Sequence, residues 1–332
     1  MASKREGAPA RAAIDDGFFA SVRGDAHWVT LRGADGANPA LLLLSGPGAA
    51  FSRMAPFFAP WEAAFTLAQW DQPGAGATFA RNGEAALSLD RLAADAEAVA
   101  EIALARLGAS KLVVLGISGG SIVGLRLAKA RPDLVAAFVG TGQIVHWARQ
   151  QALGYRLALE AGWTQGDPAA VADLQRIGPP PYADIAAELV FSQRANAMTE
   201  AEQAVFAALD PATRAALATP PAGARWIPED LALPDGRARG LAGYVALRDE
   251  IAAFDACALG PAFEVPMFFL QGELDRYTPT AEVAAYAAAI TAPTVKVVDI
   301  AGGGHSAVFL RAPFLALLQQ HVLPFANLRS AV

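Results

Sequence analysis

A serine at a strand–turn–helix junction is the feature that most constrains the fold of this chain. Residues 116–120 read Gly-Ile-Ser-Gly-Gly, with an apolar run at residues 111–115 before them and a helical pattern up to residue 130 after them. Small residues two positions either side of Ser118 permit a turn that a β-carbon would block. The turn lifts the hydroxyl above the sheet edge at a helix N-terminus, where free N–H groups favour developing negative charge. The pattern is typical of a nucleophile elbow and predicts a serine hydrolase.

The order of apolar runs along the chain predicts an α/β fold. Residues 40–44 and 66–70 are continuous runs, as expected of strands buried on both faces, whereas residues 27–32 alternate like a half-exposed strand. Further strands are predicted at residues 111–115, 134–139, 266–270 and 295–300. Helical spacing of apolar residues lies between them, at residues 89–107, 118–130, 280–290 and 311–322. Strands that alternate with helices predict a doubly wound, mostly parallel sheet.

The alternation of strands and helices breaks between about residues 140 and 260. Helical segments and proline-rich turns fill this stretch, which contains no convincing buried strand. A helical stretch inserted between sheet strands predicts a lid that covers the carboxyl ends of the strands and shapes a substrate pocket. We therefore expect a flexible lead-in at residues 1–20, a core of residues 21–140 and 262–332, and a helical lid domain of residues 141–261.

A serine nucleophile needs a base and an acid that orients the base. Of four histidines, His305 follows a predicted strand and a run of glycines, which puts it at the sheet edge that carries Ser118. The acid should follow the strand before this histidine. Asp275 does so, with Glu273 as its competitor. The chain order Ser118, Asp275, His305 is the order found in hydrolases with a nucleophile elbow.

Two backbone N–H groups should hold the oxyanion of an acyl-transfer reaction. Gly119, directly after the serine, supplies the first. The loop Ser45-Gly46-Pro47-Gly48 supplies the second; proline has no N–H, so Gly46 is the first choice and Gly48 the second. Aromatic residues of the inserted stretch are candidates for an apolar pocket roof: Trp147, Tyr155, Trp163, Phe191 and Trp226.

With these residues in place, the chain resembles the α/β-hydrolase superfamily, and within it the proline iminopeptidase branch of serine aminopeptidases. The matching pieces are the elbow, residues 46–48, residues 272–275 and the turn at residues 71–76, which we expect to support the oxyanion loop. The branch has His-Gly-Gly-Pro-Gly where residues 44–48 read Leu-Ser-Gly-Pro-Gly, and tryptophan where this chain has Gly119. The resemblance implies release of an N-terminal residue, preferably proline. It also implies lid carboxylates that hold the substrate ammonium, with candidates Glu160, Glu188, Glu200, Glu202 and Glu250.

Two other functions fit the same residues. An apolar pocket roof would suit a carboxylesterase or lactonase that acts on a small apolar acyl substrate. A non-catalytic ligand-binding protein could also use this fold. Two carboxylates converging near Ser118 would favour the aminopeptidase, whereas a wholly apolar pocket would favour the esterase.

The composition of the chain limits the classes of partner that it can be expected to bind. Hydrophobic residues make up 54% of it and its net charge is −6, without a basic patch, which argues against nucleic acid. No apolar run approaches the ~20 residues that span a bilayer. Residues 1–16 lack the apolar core of a secretory signal peptide. Cys257 is the single cysteine, which excludes an internal disulfide; we expect it to be buried. We thus expect a cytoplasmic enzyme that uses no metal or organic cofactor, acts on a small molecule or short peptide and does not bind membranes. The oligomeric state is left open.

Overall fold

An eight-stranded, mostly parallel sheet forms the centre of the computed structural model, which describes residues 12–326. The strands are β1 (Ile14–Val22), β2 (Asp25–Gly33), β3 (Ala40–Leu44), β4 (Thr66–Trp70), β5 (Leu112–Ile117), β6 (Val135–Thr141), β7 (Met267–Gly272) and β8 (Val295–Ile300). Their order across the sheet is β1-β2-β4-β3-β5-β6-β7-β8. Strand β2 is antiparallel to β1 and β4, and the other neighbouring pairs are parallel. The predicted α/β fold with a mostly parallel sheet is confirmed.

Helices flank the sheet and connect its strands. They are α1 (Ala55–Phe58), α2 (Gly76–Asn82), α3 (Leu89–Leu107), α4 (Gly119–Ala130), α5 (Trp147–Thr164), α6 (Pro168–Ile177), α7 (Ile185–Ala195), α8 (Glu200–Ala207), α9 (Pro211–Ala218), α10 (Gly236–Ala252), α11 (Thr280–Ala289), α12 (Arg311–Leu317) and α13 (Leu323–Ala326). Short 3₁₀ turns lie at Phe51–Met54, Ala59–Ala63, Ala256–Leu259 and Ala307–Phe309. A π-helical turn, Leu318–Val322, follows α12, so the single helix predicted over residues 311–322 changes its winding partway.

Apolar layers cover both faces of the sheet. Leu42 and Leu44 of β3 face the layer that includes α3 and α4, whereas Leu41 and Leu43 face the layer that includes α12. Successive strand residues point to opposite faces, so a strand covered on both sides must be apolar at every position. This burial explains why the run at residues 40–44 was recognisable in the sequence.

The predicted lead-in at residues 1–20 is wrong for residues 14–20, which belong to β1. This strand pairs with β2 along its whole length, from Ile14 opposite Gly33 to Val22 opposite Asp25. Phe18, Ala20 and Val22 follow one another at every second position, and Ala20 and Val22 are buried in the core. That period of two is the signal that the lead-in interpretation overlooked. Residues 1–11 lie outside the described part of the chain.

Helices α5–α10, here called the inserted helices, lie between β6 and β7 in the chain. Polar N-cap side chains begin α6 to α10, contributed by Asp167, Asp184, Thr199, Asp210 and Asp235. A β-carbon on Gly243 of α10 would lie 2.8 Å from Gly48 N, and one on Gly154 of α5 would lie 2.2 Å from Arg276 O. The inserted helices therefore pack directly on the loops after β3 and β7. Their assignment as a lid domain of residues 141–261 stays a prediction.

Two sequence expectations concern the surface. Cys257 is exposed, so the expectation of a buried thiol is wrong; the residue lies in a 3₁₀ turn whose Ala256 takes the buried position instead.

Within residues 12–326, no helix combines the length and apolar character needed to cross a bilayer.

Candidate active site

Ser118 occupies a sharp turn between β5 and α4. Its backbone angles, φ 53° and ψ −124°, are rare for a residue with a side chain and mark local strain. A β-carbon on Gly116 would lie 2.6 Å from the Ser121 Cα, and one on Gly120 would lie 2.1 Å from the last carbonyl oxygen of β3. Ser121 Oγ donates to the Ser118 carbonyl and accepts the Ile144 N–H at 3.0 Å. These close approaches explain why the turn requires small residues around the serine.

His305 and Asp275 converge on Ser118 from the loops after β8 and β7. His305 Nε2 lies 2.8 Å from Ser118 Oγ, and His305 Nδ1 lies 3.1 Å from Asp275 Oδ2. Both side chains are buried. Glu273, the competitor for the acid position, accepts the Gly302 N–H at 3.1 Å instead. The structure thus brings together the three residues that the sequence singled out, in the geometry of a nucleophile, a base and an orienting acid.

Thr278 hydrogen-bonds to the Asp275 carboxylate through its hydroxyl and its backbone N–H, a role that the sequence did not reveal. Its hydroxyl donates to Asp275 Oδ2 at 2.6 Å, while the N–H groups of Tyr277 and Thr278 donate to Oδ1 at 2.9 and 2.8 Å. Burial alone would raise the pKa of Asp275, but the charge and hydrogen bond of His305 and the hydrogen bonds of Thr278 outweigh it and lower that pKa. Asp275 therefore stays ionised at neutral pH.

The two acceptors beside His305 Nδ1 settle where the imidazole holds its proton. Thr278 Oγ1 lies 3.0 Å from Nδ1, and its own proton is already donated to Asp275. Nδ1 therefore faces a hydroxyl lone pair and a carboxylate oxygen, both of which require an N–H. Nε2 is left as the acceptor for the Ser118 hydroxyl.

Gly46 and Gly119 lie side by side at the cavity that opens above the serine. Gly119 is the first residue of α4, so its N–H has no intrahelical acceptor. A β-carbon on Gly46 would lie 3.9 Å from Gly119 N, whereas one on Gly119 would lie 2.8 Å from Pro47 Cδ. That proximity explains why glycine occupies this position here rather than a larger residue. Gln72 Nε2 donates to the Ser45 carbonyl at 2.9 Å, so the turn after β4 supports the loop.

The cavity above Ser118 has a volume of about 250 Å³ and mostly apolar walls. Besides Ser118, Gly46, Pro47 and Gly119, it is lined by Ile144, Trp147, Leu189, Ser192, Asn196, Leu241, Tyr244, Ile251 and Tyr277. None of these described residues carries a formal charge. An uncharged acyl group with limited hydrogen-bonding capacity suits such walls. Within residues 12–326, no group of three His, Cys, Asp or Glu side chains is placed to hold a metal ion.

Two of the five aromatic residues predicted for the pocket, Trp147 and Phe191, lie at or behind its wall. Trp147 lines the cavity directly. Phe191 is fully buried behind the wall, where its ring packs 5.9 Å from that of Tyr277. Tyr155 is also buried, and its hydroxyl donates to the Leu174 carbonyl at 3.0 Å, which ties α5 to α6.

The pocket prediction is wrong for Trp163 and Trp226. Trp163 is 58% exposed. It follows Trp147 by sixteen residues on α5, a rotation of about 160° that turns it to the opposite face of the helix. Trp226 lies against β2, where its carbonyl accepts the Trp28 indole N–H at 3.0 Å. Aromatic character alone did not reveal which way these side chains face.

Glu202, proposed from the resemblance as an ammonium ligand, is instead engaged with the histidine loop. Its Oε2 accepts the Thr199 N–H at 2.9 Å in a capping box at the start of α8. Its Oε1 accepts the Gly304 N–H at 2.8 Å, and Thr199 Oγ1 donates to the Gly302 carbonyl at 2.7 Å. The buried Glu202 therefore fixes the backbone next to His305.

The other candidate carboxylates do not meet at Ser118. Glu160, Glu200 and Glu250 are exposed. Glu188 is buried behind the cavity wall, where it accepts hydrogen bonds from the Tyr244 hydroxyl and the Arg248 guanidinium. A charge so partnered is already neutralised.

Comparisons with known proteins agree with this fold. A family described as alpha/beta hydrolase fold matches residues 39–312. A probable aminopeptidase of Bacillus subtilis (strain 168) is 29% identical over 139 residues, which span 41% of this chain and 44% of that protein, less than half of its length. The crystal structure of a proline iminopeptidase-related protein of Thermus thermophilus is similar over 94% of this chain and 99% of its own, with 18% identity and a TM-score of 0.61. An esterase of Rhodococcus sp. ECU1013 is similar over 96% of this chain and 100% of its own, with 17% identity and a TM-score of 0.58.

Proposed function

The chain belongs to the alpha/beta hydrolase fold family and is a hydrolase, and we propose that it uses Ser118 to cleave esters of small uncharged acyl groups. The observation that carries this proposal is the continuous path from Ser118 Oγ to His305 Nε2, 2.8 Å, and from His305 Nδ1 to Asp275 Oδ2, 3.1 Å. The strained elbow presents the hydroxyl to the cavity.

The proposed reaction has two acyl-transfer steps. Ser118 Oγ attacks the carbonyl carbon while His305 Nε2 takes the hydroxyl proton, and Asp275 stabilises the resulting imidazolium. The N–H groups of Gly46 and Gly119 hold the oxyanion. His305 then returns the proton to the leaving alcohol as the bond between the carbonyl carbon and the alcohol oxygen breaks. A water molecule, deprotonated by His305, releases the acid and restores the serine.

The walls of the cavity favour an uncharged acyl group over an α-ammonium group. The cavity above Ser118 is lined without a carboxylate, and the nearby Glu188 already pairs with Arg248. A buried ammonium group without a counter-charge would lose its hydration, and no ion pair would offset the free-energy cost. We therefore place the ester of a small apolar acid first.

Glu188 is also the observation that supports the second candidate, an aminopeptidase. Its neighbour along α7, Leu189, lines the cavity, and Tyr244 hydrogen-bonds to it from the cavity wall. If Glu188 exchanged Arg248 for a substrate ammonium, the site would accept an N-terminal residue. The name of the Bacillus subtilis relative points the same way.

The 2-naphthyl esters of cyclopentanecarboxylic acid and of L-proline distinguish the two candidates, because the acids share a ring size and differ by the ammonium. We expect kcat/KM to be at least about tenfold higher for the carbocyclic ester at neutral pH. A preference for the proline ester that disappears in Glu188→Gln would establish the aminopeptidase. Glu160→Gln, an exposed carboxylate on α5, is the matched control.

A further inference from the structure

A second cavity, of about 420 Å³, lies beside the one above Ser118, and we call it the distal cavity. The same helices line both spaces. On α7, Leu189 lines the cavity above Ser118 and its neighbour Glu188 lines the distal cavity. On α10, Ile251 and its neighbour Ala252 are divided in the same way. The two cavities therefore lie side by side, and side chains of these helices separate them.

Trp147, the first residue of α5, belongs to both cavities. Of the residues that the structure describes, it alone lines the two of them. Trp147 is 4% exposed, and its ring packs edge-on against that of Tyr277, with the ring centroids 5.2 Å apart. Tyr277 in turn packs edge-on against His305 at 4.9 Å. The indole is thus held between the distal cavity and the reacting residues, where it forms a partition.

The volume of the cavity above Ser118 limits the ester that fits there. At about 250 Å³, it is smaller than the roughly 300–1,000 Å³ of most ligand pockets, whereas the two spaces joined would fall within that range. Replacing the Trp147 indole with a methyl group would open the wall that both spaces share. The length of chain that fits above Ser118 therefore depends on this one side chain.

An uncharged apolar chain suits the distal cavity. Its walls are mostly apolar and include Ala148, Ala152 and Ala252. Glu188 accepts a hydrogen bond from the Arg248 guanidinium, so the one carboxylate charge that the described walls contain is already paired. Each methylene that is buried against such walls should raise affinity about fourfold.

We infer that Trp147 sets the length of the apolar chain that the enzyme accepts, because its indole closes the cavity above Ser118 towards the distal cavity. The inference rests on the proposed esterase function and specifies the substrate class as esters of short chain length. Trp147 acts on size alone, so its removal should extend the range of accepted chains while Ser118, Asp275 and His305 keep their geometry.

Two series of esters test this role of Trp147. p-Nitrophenyl esters with acyl chains of two to ten carbons vary the acid, and acetates of alcohols of the same lengths vary the alcohol. In at least one series, we expect kcat/KM of the wild type to fall beyond a limiting length at which that of Trp147→Ala still rises. The ratio of variant to wild-type kcat/KM should be at least about tenfold higher for the longest chain than for the shortest. Trp147→Leu, which leaves a smaller void, gives the same test if Trp147→Ala does not fold.

Trp163→Ala is the matched control, because Trp163 lies on the same helix but is 58% exposed. It should leave the dependence of kcat/KM on chain length unchanged. A bulky residue in the distal cavity should reverse the effect, so Trp147→Ala combined with Ala152→Phe should again prefer short chains. A wild type without a length limit in either series, or a limit that Trp147→Ala does not move, would overturn the inference. So would a double variant that accepts the same chains as Trp147→Ala.

Calorimetric binding of methyl ketones of the same chain lengths separates this inference from the proposed function, since a ketone has no scissile bond. The affinity for the longest ketone should rise at least about tenfold when Trp147→Ala is introduced into the Ser118→Ala protein. Absence of ester hydrolysis by the wild type would refute the proposed function. An equal dependence of affinity on ketone length with and without the indole would refute the partition.

Discussion

The Thr278 hydroxyl is the part of this site whose contribution can be calculated most directly. Thr278→Val keeps the shape of the side chain but removes the donor that contacts Asp275 Oδ2 at 2.6 Å and the lone pair that lies 3.0 Å from His305 Nδ1. A hydrogen bond to a charged group contributes about 1.5–3 kcal/mol. We therefore expect the free energy of unfolding to fall by about 2 kcal/mol at neutral pH. Since His305 Nδ1 loses one of its two acceptors, we expect kcat/KM to fall about tenfold.

The pH dependence of the Thr278→Val variant has a definite sign. Thr278 is one of the groups that lower the pKa of Asp275, so its removal raises that pKa towards the value in the unfolded chain. A carboxylate with a lowered pKa stabilises the fold above its unfolded pKa, and that stability is lost as pH falls through the folded pKa. In the variant the folded pKa lies closer to the unfolded pKa, so the loss contributed by Asp275 should be smaller and should be complete at a higher pH than in the wild type.

Denaturant unfolding between pH 3 and 8, with kcat/KM on p-nitrophenyl butyrate at neutral pH, measures both effects. Thr280→Val is the matched control, because the Thr280 hydroxyl bonds the Gly272 carbonyl at 3.3 Å on the same loop but does not contact Asp275. It should change kcat/KM less than twofold. Wild-type stability and activity in Thr278→Val, or equal losses in the two variants, would refute the reasoning.

Substitutions at three further positions give expected outcomes. Glu202→Ala should lower kcat/KM about tenfold, because the carboxylate that accepts the Gly304 N–H is lost. Glu202→Gln, whose amide oxygen can accept the same N–H, should keep most of the wild-type kcat/KM. Equal kcat/KM values for the wild type and both variants would contradict the role of Glu202. Burial lowers the pKa of His27 to about 4. Between pH 6.5 and 4 the imidazole therefore takes up a proton only in the unfolded chain, and the free energy of unfolding falls as the pH falls through this range. His27→Gln should reduce this pH-dependent fall in the free energy of unfolding by about 3 kcal/mol in denaturant titrations; an unchanged slope would contradict this. Gly119→Ala should lower kcat about tenfold, because its methyl group would lie 2.8 Å from Pro47 Cδ and would displace the loop that carries Gly46; unaltered kcat would contradict the oxyanion assignment.

Those parts of the site that depend on local sequence or chain order could be predicted. The elbow could be recognised because the close approaches around Ser118 require glycine at positions 116 and 120, and these glycines are visible in the sequence. Asp275 and His305 follow from the rule that loops after parallel strands meet at one sheet edge. The structure places both beside Ser118, as expected.

The parts that depend on side-chain direction and long-range contact could not be predicted. Glu202 looked like any helix-start glutamate, because its partner Gly304 lies 102 residues away. Thr278 is one hydroxyl among many until Asp275 is placed beside it. The outward face of Trp163 follows from the rotation of α5, and the cavity above Ser118 from the mutual packing of α5, α7 and α10. Neither property is carried by residue type alone.

Covalent labelling by a fluorophosphonate, followed by peptide mass spectrometry, tests the central claim most directly. The strained elbow and the 2.8 Å contact to His305 Nε2 predict modification at Ser118 alone, with complete loss of ester hydrolysis. Ser118→Ala should resist labelling and lose at least about a thousandfold in kcat at unchanged melting temperature. A label on another residue, or near wild-type hydrolysis by Ser118→Ala, would contradict the assignment of this serine as the nucleophile.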